Sequence, residues 1–372
     1  MAEPLRVLLA GGGTAGHVNP MLATAAALAE DGASCAALGT ADGLESRLVP
    51  AAGLDLHPVP RVPLPRRPTA DLLRLPTNLR AAVRAARAAI EATSADVVVG
   101  FGGYVATPAY LAARRAGIPV VVHEQNARPG LANKVGARTA AAVALTFAST
   151  PLAARRGRTE VTGLPLRRAV ADLVAARADE AGRLAARETG ARALGLDPDR
   201  PVLLVTGGSL GAQRINETLA ASAGDLADAQ VLHLTGRDKD APVRAAVEGH
   251  DDYHVLDYLG EMEHALACAD LVVCRSGAGT VAELSALGLP AIYVPLPHGN
   301  GEQRLNAADV VAAGGGIVVE DADLSPAAVR ETVTPLLADP DRLREMGDAA
   351  ASAGPGDGAG PLAALVSAVA RG

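Results

Sequence analysis

RVLLAGGGTAGH (residues 6–17) decides the architecture of this chain: a short apolar run ends in three glycines, and an alanine-rich helical pattern follows. A run that is apolar on both faces belongs in a parallel sheet covered by helices on each side. The same pattern recurs along the sequence. Further strand candidates lie at 34–38, 54–59, 96–100, 119–124 and 141–145, then at 201–206, 230–235, 253–256, 270–274, 291–295 and 316–319. Two successive sets of about six predict an α/β fold with two doubly wound domains rather than one large sheet. The boundary falls by TEVTGLPLRR (159–168), which gives an N-terminal domain over 1–166 and a second over 167–352. Residues 169–193 read as one helix stopped by GLDPDRP (195–201). Residues 353–372 read as a Gly/Pro linker and a C-terminal helix that returns to pack near the domain interface.

Composition narrows the function. The 372 residues carry a net charge of −7, so no global basic field exists to hold nucleic acid. Seven aromatic residues and no Trp leave little for base stacking. Three cysteines (Cys35, Cys268, Cys274) without paired spacing indicate neither a disulfide framework nor a zinc site, and point to a reducing cytosol. The N-terminal apolar stretch is too short for a secretory signal, and no apolar run is long enough to span a bilayer. A membrane role is expected to be peripheral.

In an open α/β sheet, ligands bind outside the carboxyl ends of the strands. Gly11, Gly13 and Gly16 satisfy GxGxxG, but a dinucleotide site also needs an acid at the end of the second strand, where Gly39 and Thr40 stand. The loop therefore indicates only backbone N–H groups brought close to an anion at a helix start, or a tight turn without a ligand. GFGGY (100–104) and GGSLGA (207–212) repeat the theme, with Ser209 readable as a helix cap or as a phosphate contact. Glycine loops in both domains suit a pyrophosphate better than a neutral ligand.

DLVVCRSGAGTVAELSALGLPAIYVPLPHGNGEQRLNA (270–307) is the most specific segment. Its small residues Ser276–Gly279 predict a turn into a helix starting near Thr280, whose amides and dipole suit a diphosphate. Glu283 has two readings: the far half of a Thr280–Glu283 capping box, or a carboxylate for ribose hydroxyls. His298, Glu302, Gln303 and Asn306 surround the next helix start, where an amide such as Gln303 offers both donor and acceptor to a sugar.

GGGTAGH, HEQN (123–126), GGSLGA and RSGAGTVAE…PHGNGEQRLNA occur in one order along the chain. Together they resemble the lipid II-forming N-acetylglucosaminyltransferases of bacterial peptidoglycan synthesis, over essentially the whole length. The resemblance implies a GT-B fold, two Rossmann-like domains with parallel sheets facing a cleft, the acceptor on the N-terminal domain and UDP-GlcNAc on the C-terminal one. It implies inverting transfer of GlcNAc from UDP-GlcNAc to the C4 hydroxyl of MurNAc in undecaprenyl-diphospho-MurNAc-pentapeptide (lipid I). The work would take place on the cytoplasmic face of the membrane, beside other cell-wall synthesis proteins. Donor contacts are implied for Thr14, Ala15, Gly16, Asn126, Arg167, Ser209, Tyr258, Leu259, Gly279, Thr280, Glu283 and Gln303, and acceptor contacts for Gly103 and Tyr104. Many members have two adjacent glutamines where this chain has Glu302-Gln303, so sugar recognition is placed on Gln303. Other GT-B enzymes, a glycolipid transferase or a UDP-GlcNAc 2-epimerase, are the alternative.

The transfer needs a base for the acceptor hydroxyl and stabilisation of charge on the leaving diphosphate. His17, closing the first glycine loop, is the first candidate base because imidazole titrates near working pH, and Glu124 is the second. Asp197-Pro-Asp199, Asp238-Lys-Asp240 and Asp321-Ala-Asp323 all read as surface turns rather than metal-binding DxD motifs, so no metal and no cofactor are expected. Segment 61–90 sets seven arginines (Arg61, Arg66, Arg67, Arg74, Arg80, Arg84, Arg87) against Asp71. With Leu72, Leu73, Leu75 and Leu79 among them, it reads as a solvated basic helix or as a peripheral patch for anionic headgroups of the inner leaflet.

Overall fold

The computed structural model describes residues 3–62, 71–208, 211–298 and 300–372, with 71–74 described as backbone only. The chain divides into two compact units. One comprises residues 1–167 with 357–372, the other 168–356. Each holds a single parallel sheet, as the doubly apolar strand runs require, and the α/β class expected from the sequence is the class observed.

The first unit contains β1 (Arg6–Ala10), β2 (Ser34–Gly39), β3 (Asp55–Pro58), β4 (Val97–Gly100), β5 (Val120–Glu124), β6 (Ala142–Leu145) and β7 (Arg158–Val161). Their order in the sheet is β3-β2-β1-β4-β5-β6-β7. Helices α1 (Ala15–Glu30), α2 (Glu45–Ala51), α3 (Asp71–Thr93), α4 (Ala106–Ala116) and α5 (Leu131–Gly136) fill the crossovers. Leu8 and Val98 face one helical layer and Val7 and Val99 the other, all essentially buried. Each such side chain withdrawn from water contributes about 1.5–3 kcal/mol. β7 goes beyond the expected six strands: its four residues are all exposed at the sheet edge, so no apolar run announces it.

The second unit contains β8 (Val202–Thr206), β9 (Gln230–Leu234), β10 (Tyr253–Leu256), β11 (Leu271–Cys274), β12 (Ala291–Tyr293) and β13 (Gly316–Val318), in the order β10-β9-β8-β11-β12-β13. The helix expected over 169–193 is two helices, α6 (Arg168–Ala176) and α7 (Glu180–Leu194). The Asp179 side chain breaks the run by accepting the Gly182 N–H as the N-cap of α7. Helices α8 (Gln213–Ala221), α9 (Asp240–Ala246), α10 (Met262–Cys268), α11 (Ala278–Ala286) and α12 (Glu302–Asn306) follow. The C-terminal helix (Ala359–Ala370) belongs to the first unit, where Leu362, Ala363, Leu365 and Val366 complete the core beneath α1. The backbone of Leu166 donates to Asp357 where that segment arrives.

These strand orders place the sequence motifs. In both sheets the winding reverses once, between β1 and β4 and between β8 and β11, and a crevice opens at such a switch point. The first two glycine loops follow β1 and β4. The other two ligand-like segments follow β8 and β11.

Candidate active site

At the first switch point, Thr14 caps α1 in extended conformation without a side-chain bond to the helix backbone. Its Oγ1 instead lies 3.0 Å from His17 Nδ1, while the His17 N–H donates to the Thr14 carbonyl. Thr14, Ala15 and Gly16 are exposed and His17 is half-buried, so the head of α1 faces outward. The GFGGY loop packs directly against it. Gly103 has φ +78 and sits so close to the Gly12 carbonyl that any side chain would overlap it. A Cβ on Gly102 would lie 3.1 Å from His17 Nε2. The structure therefore brings Thr14, His17, Gly103 and the exposed ring of Tyr104 together, with Arg61 stacked 4.9 Å over that ring.

HEQN ends β5. Here Glu124 is buried and both its oxygens are occupied: Oε1 accepts the Asn126 N–H at 3.0 Å, and Oε2 accepts the Gly130 N–H at 2.9 Å and Asn133 Nδ2 at 3.0 Å. Burial raises its pKa against the lowering effect of those donors. Asn133 is held in turn by the buried Tyr110 hydroxyl, which donates to its Oδ1 at 2.8 Å. His123 is buried beside the Gly163 carbonyl, and burial lowers its pKa to about 4. Glu124 thus shapes the turn that presents half-buried Asn126. Its partner Asn133, and Tyr110 behind that, carry no local sequence signal.

At the second switch point, α11 begins at Ala278 behind Gly277, two residues earlier than expected. Thr280 is then inside the first turn, and the Thr280–Glu283 capping box does not form. Of the two readings of Glu283, the cap is excluded. The turn is braced from three sides. Asn306, fully buried in α12, donates through Nδ2 to the Ser276 carbonyl at 3.3 Å. Arg275 donates to the carbonyls of Val294 and Pro295. Asp321 lies 2.6 Å from Arg275 and 3.2 Å from Arg214 of α8, and only 13% of its side chain is exposed. Asp321-Ala-Asp323 is the turn expected, with Ala322 and Asp323 exposed, but the Asp321 side chain points inward from it. Two arginines that the sequence did not connect draw it inward.

Gln303 uses its carboxamide oxygen to accept the Leu296 N–H at 2.9 Å, which leaves the amide NH₂ facing away from that bond. Tyr258 is exposed beneath Arg237, 3.8 Å from the ring centroid, and Leu259 beside it is half-buried. Gly279 is half-buried at the head of α11, and Arg167 is half-buried at the end of the first unit. Ser209, Arg66 and Arg67 lie outside the described residues, and Leu72 is in the first turn of α3. Leu75 and Leu79, expected at a membrane surface, are half-buried against the core of the first unit. Their helical spacing continues the stripe of Ala82, Val83 and Ala86, which faces the sheet. Arg80, Arg84 and Arg87 are left on the exposed face. No helix among the described residues is long and apolar enough to cross a membrane, and none of their His, Cys, Asp and Glu side chains form a group of three suited to a metal.

Models of two families match: the glycosyltransferase family 28 N-terminal domain over residues 7–145 and its C-terminal domain over 202–359. A Nocardioides protein named UDP-N-acetylglucosamine–N-acetylmuramyl-(pentapeptide) pyrophosphoryl-undecaprenol N-acetylglucosamine transferase is 53% identical over 368 residues, 97% of each chain. One of the same name from Bifidobacterium longum is 51% identical over 361 residues, 92% of this chain and 91% of the relative. The crystal structure of Acinetobacter baumannii MurG superposes with a TM-score of 0.78 at 28% identity, covering 98% of this chain and all of that one. The calicheamicin glycosyltransferase CalG4, at 21% identity and a TM-score of 0.66, shares the fold.

Proposed function

The chain belongs to glycosyltransferase family 28, and from that premise we infer that it transfers N-acetylglucosamine from UDP-GlcNAc to lipid I, giving lipid II. The observation that carries this reading is identity above one half, across more than nine-tenths of both lengths, to relatives named for that reaction. A natural-product glycosyltransferase reading has only the fold in its support.

In this reading the C4 hydroxyl of MurNAc attacks the anomeric carbon of GlcNAc with inversion, and UDP departs. His17 takes the hydroxyl proton. Its ring is oriented by Thr14 and faces the second glycine loop, as a base at the acceptor should be. Glu124, whose oxygens are both engaged, is assigned to holding Asn126 in place rather than to proton transfer. Gly103 and Tyr104 flank the acceptor. In the second unit, the amides at the head of α11, including Gly279 and Thr280, meet the charge that builds on the diphosphate, and the GGSLGA loop with Ser209 adds donors. Glu283, one turn further, holds the ribose. The Gln303 NH₂ donates to a GlcNAc hydroxyl, and Tyr258 and Leu259 lie beside the uracil. Arg167 and the open head of α1 supply further polar groups. The enzyme attaches peripherally to the anionic cytoplasmic face of the membrane through Arg80, Arg84 and Arg87 and the segment before them.

Purified protein incubated with labelled UDP-GlcNAc and a lipid I analogue should form the disaccharide product, with UDP-GalNAc a poor donor. Excess chelator should leave the rate unchanged. No product with UDP-GlcNAc would overturn the assignment, and a rate lost to chelator and restored by magnesium would overturn the cation-free mechanism.

A further inference from the structure

A carboxylate that belongs to none of the motifs lies directly beneath the first glycine loop. Glu45 opens α2, and its side chain is fully buried. Oε1 accepts the Thr40 N–H at 2.8 Å and the Thr40 hydroxyl at 2.7 Å, while Oε2 accepts the Gly13 N–H at 3.0 Å. Three glycines make room for it. A Cβ on Gly12 would lie 2.5 Å from Oε1, and one on Gly39 or Gly43 would overlap the same side chain. Burying a carboxylate is costly unless donors surround it. Here the hydrogen bonds from Thr40 and Gly13 outweigh the desolvation that would raise its pKa, and the group stays below the usual carboxylate range.

We propose that Glu45 is a positioning residue for glycosyl transfer: by fixing the Gly13 amide it sets the path of the glycine loop and, through Thr14, the place of His17. The chain of contacts is continuous. Gly13 takes φ +87, and Thr14, its neighbour, caps α1 and meets His17 Nδ1. The Gly13 N–H is spent on Glu45, so it holds the loop rather than a ligand. An acid does stand near the second strand's end, but it is turned inward to hold the loop. This role rests on the assignment of His17 to the acceptor side.

Glu45→Gln keeps the shape but puts an NH₂ in place of an accepting oxygen, so at least one of the three donors loses its partner. The expected result is a kcat lowered about 10- to 100-fold, as for small misplacements of reacting groups. KM for UDP-GlcNAc should change less than kcat, because Glu283, Gln303 and the head of α11 are built on the other sheet and only the implied donor contacts at Thr14, Ala15 and Gly16 ride on this loop. The His17 ring signals in an ¹H–¹⁵N NMR spectrum, identified with His17→Gln, should shift in Glu45→Gln. Thr40→Val removes one donor only and should lower kcat about threefold to tenfold in the same direction, which serves if Glu45→Gln does not fold. A folded variant with wild-type kcat, or one whose His17 signals stay in place, would overturn the proposal. If the wild-type protein forms no disaccharide, the functional reading fails, while the NMR shift still decides whether Glu45 positions His17.

Discussion

Asp321 stands 2.6 Å from Arg275 and 3.2 Å from Arg214, so one carboxylate ties the turn after β11 to the helix that follows the glycine loop after β8. Both loops sit at the second switch point, where the proposed function puts the donor. An ion pair this well shielded depends on both partners, since removing one leaves a buried charge unmatched. Arg275 is also committed to two main-chain carbonyls, so its guanidinium cannot simply swing into solvent.

Asp321→Asn should therefore loosen the spacing of the two loops. The expected outcome is a KM for UDP-GlcNAc raised about tenfold, with a smaller change in kcat, because the altered geometry is that of donor binding. Steady-state kinetics with the donor varied will show this. An unchanged donor KM in a folded variant would separate Asp321 from the donor site.

Gln303 permits its two ends to be tested apart. Its oxygen accepts the Leu296 N–H and its NH₂ is assigned to the sugar. Gln303→Glu keeps an acceptor for Leu296 and removes the donor, so donor KM should rise about tenfold while Tm stays put. Gln303→Ala loses both and should also cost about 1 kcal/mol of stability. Equal kinetics for Gln303→Glu and wild type would remove the NH₂ from sugar recognition.

The sheets were readable because the strand runs are unmistakable. VVVHE (β5) is apolar from its first residue, whereas RTEV (β7) has nothing to mark it, being an exposed edge. The glycine loops were readable for a related reason, since a position such as Gly103 tolerates no side chain. Glu45 and Asp321 were not, because what makes them matter is a partner far along the chain. Glu45 meets Gly13 across 32 positions and Asp321 meets Arg214 across 107. Leu75 and Leu79 show the opposite failure. Leucines among arginines fit a membrane face and a core stripe equally well, and only the sheet beneath α3 decides between them.

Two buried histidines set a pH limit on stability. His123 is enclosed beside Gly163, and His233 lies between the Tyr253 hydroxyl and Asn216. Burial lowers each pKa from 6.5 to about 4. Between those values the unfolded chain takes up protons that the folded chain refuses, so stability is full above about pH 6.5 and falls toward pH 4. At pH 5 the loss is about 2 kcal/mol per ring. Glu124, with a raised pKa, acts in the opposite sense and cancels when variants are compared. Urea unfolding at pH 7 and pH 5 should show a smaller pH-dependent loss in His233→Gln than in the wild type. Identical losses in the two proteins would mean that His233 is not held neutral.

The outward face of α3 makes the membrane reading specific. With Leu75 and Leu79 packed against the core, the proposed attachment at this part of the helix would fall to charge. Arg80, Arg84 and Arg87 recur at helical spacing on the exposed side, although Arg87 also pairs with Glu91 at 2.8 Å. An exposed pair of this kind is worth well under about 1 kcal/mol and yields readily to a headgroup. Each arginine near an anionic surface contributes about 1 kcal/mol, and the attraction dies away within a Debye length of about 8–10 Å. Binding to vesicles containing phosphatidylglycerol should therefore weaken by roughly a hundredfold in the triple Arg→Glu variant at these positions and weaken similarly in about 0.5 M salt. Vesicles of neutral lipid should bind the wild type and the variant equally poorly. Binding that ignores both salt and charge reversal would mean that apolar insertion from another part of the chain holds the protein, and that α3 is a solvated helix after all.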